Sequence, residues 1–124
     1  MTHEDFLHEY ETALATCRWE EVAPLVHDSC AFVFSTGTYH GKEQARAAFE
    51  ATFAGIQDEE YRITDVHWVY VSESFATCTY MFSWKGMIAG KFAEGRGRGT
   101  SVLVREDGRW YLTNEHLGPL AKNE

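Results

Sequence analysis

The stretch "RGTSVLVREDGRWYLTNEHLG", residues 98–118, holds the residues of this chain best suited to chemistry. Arg98, Thr100, Asn114 and His116 stand at two-residue spacings near the two ends of what reads as a hairpin. A guanidinium offers a rigid fork of donors to an anion or a developing oxyanion, and an imidazole exchanges a proton near neutrality. A turn at Glu106-Asp107-Gly108, closed by a glycine bulge with Gly108 left-handed, pairs Arg105 with Arg109. Val104 then faces Trp110, Val102 faces Leu112, Thr100 faces Asn114, and Arg98 faces His116. Side chains two apart on a strand share a face, so the quartet is predicted to extend an apolar row.

The preceding strand carries Ala76, Cys78, Tyr80, Phe82 and Trp84 at even positions, against Thr77, Thr79, Met81 and Ser83 at odd ones. The even set is the more apolar and is placed under the helices, with the polar quartet at one end of the same face. This describes a pocket. In it His116 is the candidate catalytic base or donor, Arg98 holds an anion or oxyanion, and Thr100 and Asn114 complete the polar wall. Tyr80, Phe82 and Trp84 offer rings on which a flat ligand stacks, and Tyr39 beside His40 stands where a lid belongs.

Three helical patterns precede the strands. "THEDFLHEYETALATC" opens with Thr2 three residues before Asp5, a capping box with aspartate in place of glutamate, and Phe6, Tyr10, Ala13 and Cys17 mark one face. "RWEEVAPLVHD" puts Trp19, Val22, Ala23 and Val26 on one side, but Pro24 predicts a short or kinked element. In "GKEQARAAFEATFAGI", Ala45, Ala48, Phe49, Thr52, Phe53 and Ile56 follow the helical period. Between the second and third patterns, "CAFVFSTGTYHG" reads as a small hairpin turning at Gly37. From Tyr61 onward the period becomes two, giving long strands over "YRITDVHWVYV", "FATCTYMFSWKGMI", Lys91 to Arg105 and Arg109 to Leu117. Helices followed by a meander predict one α+β domain over residues 1–124.

Composition excludes several functions. The net charge of −8 argues against nucleic acid and anionic membrane as partners. No apolar run approaches the roughly 18 residues of a membrane span, and "MTHEDFLHEY" is no signal peptide, so a cytoplasmic protein is expected. Cys17, Cys30 and Cys78 form no CxxC pair and read as small hydrophobes in a reducing compartment. The six histidines show no metal-ligand spacing, and no cofactor is expected. "GRGRG", residues 95–99, lacks the helix that a phosphate loop requires and reads as a flexible strand edge. Thr77, Thr79, Met81, Leu103, Tyr111 and Thr113 make the opposite face too apolar for ordinary surface, which predicts a homodimer stacked there.

The succession "WEEVAPLVHDSCAFVF", "YHGKEQARAAF" and "GTSVLVREDGRWYLTNEHLG" resembles the nuclear-transport-factor-2-like superfamily. Within it the likeness is to SnoaL-like domains and to the association domain of calcium/calmodulin-dependent kinase II. The resemblance implies a cone-shaped, cystatin-like fold, three helices on a curved antiparallel sheet enclosing a cavity, assembled as a dimer or larger ring. Departures limit what it carries over. Many such domains have histidine at the position of Asn114, and the pocket arginines of the kinase domain fall at Phe82, Ser101 and Leu117. The aspartate base of ketosteroid isomerases and SnoaL-type cyclases has no counterpart near Ser35 or Asn114. Two functions stay open: a non-catalytic module binding a small organic acid or carbonyl compound, or an isomerase-, cyclase- or hydrolase-type enzyme using His116 and Arg98.

Overall fold

A computed structural model describes residues 1–123. Helix α1 spans His3–Ala15 and starts at the expected capping box: Thr2 Oγ1 accepts from the Asp5 N–H at 3.0 Å, and the Asp5 carboxylate accepts from the Thr2 N–H at 3.1 Å. Hydrogen bonding to the Thr2 backbone N–H, and then to the Thr2 hydroxyl, holds the Asp5 carboxyl below its ordinary pKa. Phe6, Tyr10 and Ala13 are buried along the predicted stripe, while Cys17 lies beyond the helix in a left-handed conformation. Helix α2, Trp19–Val22, lasts one turn before Pro24 tightens the chain into a 3₁₀ turn over Ala23–Leu25. Val26 then opens strand β1 (Val26–Phe34) instead of closing a helix, and β2 is Gly37–His40. Helix α3 runs Gly41–Gly55, with Ala45, Ala48 and Phe49 buried.

Four long strands follow: β3 (Gln57–Val71), β4 (Phe75–Ile88), β5 (Lys91–Glu106) and β6 (Arg109–Gly118). They join β1 and β2 in one curved six-stranded sheet of order β2-β1-β6-β5-β4-β3. Every pairing is antiparallel except β1 with β6, so the sheet departs there from the expected meander. The helices cover the concave face. Phe6 and Tyr10 of α1, Val22 and Phe49 pack in one core with Phe32, Ala76, Leu103 and Leu112 from the strands.

Two turns decide which residues face that core. Ala89 and Gly90, with φ of 51° and 78°, join β4 to β5 and fix Ile88 opposite Lys91. Even-numbered residues of β4 therefore share a face with odd-numbered residues of β5: Cys78 with Ser101, Tyr80 with Gly99, Phe82 with Gly97, and Trp84 with Gly95. The second turn is Asp107-Gly108, with φ of 51° and 77°, which has the two left-handed residues of a type I′ hairpin. It pairs Glu106 with Arg109, correcting the expected three-residue loop. A bulge at Thr113 then shifts the ladder, so that Val102 faces Asn114, Thr100 faces His116, and Arg98 faces Gly118. The Thr113 hydroxyl seals the bulge by donating to the Val102 carbonyl at 3.0 Å. Leu103, expected on the outer face, is wholly buried.

Candidate functional site

Between α1, α3 and the concave face lies a cavity of about 630 Å³. Its wall is mostly rings: Phe34 from β1, Phe49 and Phe53 from α3, Tyr61 from β3, and Phe82 and Trp84 from β4. Set into this apolar lining are the Tyr10 phenol and two carboxylates, Glu59 and Glu115, and Arg96 lines it as well. Such a wall, largely apolar with a few converging polar groups, is the usual make-up of a small-molecule site.

Glu115 reaches the cavity because the bulge at Thr113 turns it inward, opposite Ser101 and beside Phe32. It is 3% exposed, and burial pushes its carboxyl up to about 7. The nearby Tyr10 and Tyr80 hydroxyls pull that value down only in part. Tyr80 Oη lies 2.8 Å from Ser101 Oγ, one hydroxyl donating to the other. Tyr10 Oη approaches the carboxyl without closing a hydrogen bond, and among the described residues neither it nor Glu115 Oε2 has a partner. Buried polar atoms are rarely left so, since each orphan costs about 1–3 kcal/mol. Burial, and then the Glu115 charge, push the Tyr10, Tyr61 and Tyr80 phenols well above their ordinary pKa. Half-buried Glu59, at the start of β3, is raised by burial as well. A carboxyl that titrates near neutrality in a largely apolar pocket is equipped both to accept and to donate a proton.

The residues singled out in the sequence divide between the two faces. Phe82 and Trp84 line the cavity, whereas Tyr80 is buried and, contrary to the expectation, does not line it. Arg98, Thr100 and His116 do come together, with Thr79, Met81 and Asp65, but around an open hollow on the convex face. Arg98 and His116 are exposed there, which corrects the expectation that they converge in the cavity. The reason is the Ala89-Gly90 turn, which offsets β5 by one residue from the register assumed for an even-with-even row. Asn114 is also outside the cavity: its Nδ2 donates to the Ala31 carbonyl at 2.8 Å and ties β6 to β1. Tyr39 stands behind the rim, its hydroxyl 2.8 Å from Thr36 Oγ1 and its ring against Phe34. His40 lends its N–H to Gln44 Oε1 at the start of α3. Glu115 and Tyr10 were both missed as site residues. The adjacent polar pair Thr113-Asn114, which breaks the alternation just before Glu115, is the one trace of the bulge in the sequence.

This fold and cavity define a class. The SnoaL-like domain family matches residues 4–122, and the chain belongs to it. No curated protein matches the chain. Among solved structures, a nuclear-transport-factor-2-like superfamily protein from Salmonella enterica is similar with a TM-score of 0.86 at 14% identity, over 97% of this chain and 89% of that one. A protein from Xanthomonas campestris, provisionally described as a calcium/calmodulin-dependent protein kinase II association domain, superposes with a TM-score of 0.83 at 20% identity, over 94% and 84%. A third, from Novosphingobium aromaticivorans and provisionally described as a scytalone dehydratase, gives 0.81 at 17%, over 95% and 81%. At these identities the likeness is one of fold. No helix of the described residues is long and apolar enough to cross a membrane.

Proposed function

We propose that the concave cavity binds a small, uncharged ring compound bearing a carbonyl or hydroxyl group, and that Glu115 exchanges a proton with it. The observation that carries this reading is the buried Glu115 carboxyl, pushed up to about 7 beside the Tyr10 hydroxyl, with Glu115 Oε2 and Tyr10 Oη both lacking a partner among the described residues. A carbonyl oxygen accepts from Tyr10, while the Glu115 carboxylate takes a proton from the adjacent carbon. The carboxylic acid so formed returns that proton elsewhere on the ligand, completing an isomerisation, or delivers it to a leaving hydroxyl, completing an elimination as water. General acid–base catalysis by one placed group contributes about 10²- to 10⁴-fold. This moves the enzymatic role from His116 and Arg98 to Glu115 and Tyr10. It also narrows the ligand: two carboxyls, Glu59 and Glu115, against one guanidinium, Arg96, favour an uncharged compound over an organic acid. The scytalone dehydratase description of one structural neighbour names an elimination and agrees with this reading.

The test needs no natural substrate. In D₂O, wild-type protein is expected to speed exchange of the protons beside the carbonyl of cyclohexanone, followed by proton NMR. Glu115→Gln should lose that acceleration. Exchange that is unaccelerated by the wild type, or equal in the two proteins, overturns the reading.

We further infer a homodimer built on the convex face, in the cytoplasm. Thr77, Met81, Val102, Val104 and Tyr111 lie half-buried there without a helix above them. The free thiols of Cys17, Cys30 and Cys78 suit a reducing compartment.

A further inference from the structure

The motif Gly95-Arg96-Gly97-Arg98-Gly99 has its glycines on the concave face and Arg98 on the convex one. None of the three glycines has a positive φ, so backbone freedom is not why they are there. Space is. A Cβ added at Gly95 would stand 2.5 Å from Trp84 Nε1, and one at Gly97 would stand 2.5 Å from Phe82 Cζ. At Gly99 it would stand 2.7 Å from Tyr80 Cε2. Opposed Cβ atoms of neighbouring strands are ordinarily about 4.5–5.5 Å apart, so an upright ring does not reach across. The three rings therefore lie down over β5. A ring laid over backbone turns its face away from the sheet, and for Trp84 and Phe82 that is toward the cavity they line. Tyr61, from β3, stacks with Phe82, their planes within 17° at a centroid distance of 5.9 Å.

From this we infer that the cavity selects flat, unsaturated ring compounds over puckered, saturated ones of the same carbon skeleton, with Trp84 and Phe82 as the specificity-determining residues. A planar ligand meets a planar floor over its whole area, whereas a saturated ring touches it only through its projecting hydrogens. The inference rests on the cavity being the ligand site, but not on the proton transfer assigned to Glu115.

Calorimetric titration with naphthol and with fully saturated decahydronaphthol tests it. Wild-type protein is expected to bind naphthol about tenfold more tightly. Trp84→Leu keeps apolar bulk but removes the flat surface, and should weaken naphthol alone until the two affinities meet. Gly95→Ala, which lifts the indole from its bed, should act in the same direction. The preference should persist in Glu115→Gln, whatever happens to proton exchange. Equal wild-type affinities, a Trp84→Leu that weakens both ligands alike, or a preference lost in Glu115→Gln overturns the inference while leaving the cavity as the binding site. Failure of both ligands to bind overturns it together with that site.

Discussion

Glu115 stands directly opposite Ser101 in the β5–β6 ladder, and the Ser101 hydroxyl is already taken by Tyr80 Oη at 2.8 Å. One of the two hydroxyl protons is spent in that bond, which leaves fewer donors for the carboxyl. The small side chain across from it leaves room for a carboxylate, yet the donors close by do not close a bond to its Oε2. Desolvation thus outweighs hydrogen bonding, and the proton is held up to about neutrality.

The first prediction concerns stability against pH. In the unfolded chain Glu115 has its ordinary value of 4.5, and in the fold about 7, so the folded state holds the proton more tightly. Its contribution to stability is therefore undiminished at low pH, declines as pH rises between those values, and reaches its full penalty above the folded value. The difference corresponds to a penalty of about 3 kcal/mol. Urea denaturation across that range should show this decline in the wild type, and Glu115→Gln should flatten it. Parallel curves for the two proteins would mean that the carboxyl is not desolvated.

A second prediction separates the two faces. His116→Ala removes an imidazole on the convex side and should leave proton exchange of a cyclic ketone unchanged, whereas Tyr10→Phe should slow it. Removing a hydrogen-bond donor to a developing oxyanion typically costs about 10²- to 10³-fold. A His116→Ala protein with lost exchange would return the catalytic role to the hairpin's outer end.

How the sequence and the structure diverge follows from these same residues. The capping box at Thr2 and Asp5, the stripe of Phe6, Tyr10 and Ala13, and the strands from Tyr61 onward are local patterns, and each was legible. The even face of β4 does lie under the helices, with Phe82 and Trp84 along the cavity. Facing in β5 and β6 is not local: it passes from strand to strand through turn length. Ala89 in a left-handed conformation gives little turn signal, because alanine ordinarily avoids it. One residue of register there puts Arg98 outside and a glycine strip inside. The Asp107-Gly108 pair was compatible with either a two- or a three-residue loop, and the bulge at Thr113 then restored the parity of the far half. So the quartet shares a face as read, but the opposite one.

The third prediction isolates a backbone cost. Gly108 sits at φ 77°, and an added Cβ there meets nothing within 4 Å. Gly108→Ala should therefore destabilise by about 1 kcal/mol through conformation alone, with ligand affinity unaltered. Gly97→Ala should cost more, because its Cβ runs into the Gly118 carbonyl and the Phe82 ring. Chemical denaturation of both variants orders them, and equal losses would deny that the strip is held open for the rings.

The fourth prediction uses two residues once assigned to the same face. Leu103 is 0% exposed in the core, whereas Met81 lies on the convex surface beside Thr79 and Arg98. Leu103→Arg buries a charge with no partner, a change costing several kcal/mol, and should yield unfolded or aggregated chain. Met81→Arg asks only whether a second copy covers that surface. Light scattering of the wild type should give about twice the 14.2 kDa of one chain. In Met81→Arg the mass should fall toward a single copy, with the circular dichroism spectrum unchanged. Two like guanidinium groups brought together across a two-fold axis repel, and a dimer of moderate affinity does not survive that. A wild type that stays monomeric at high concentration, or a Met81→Arg that remains dimeric, would mean that the half-apolar convex face is free surface and not an interface.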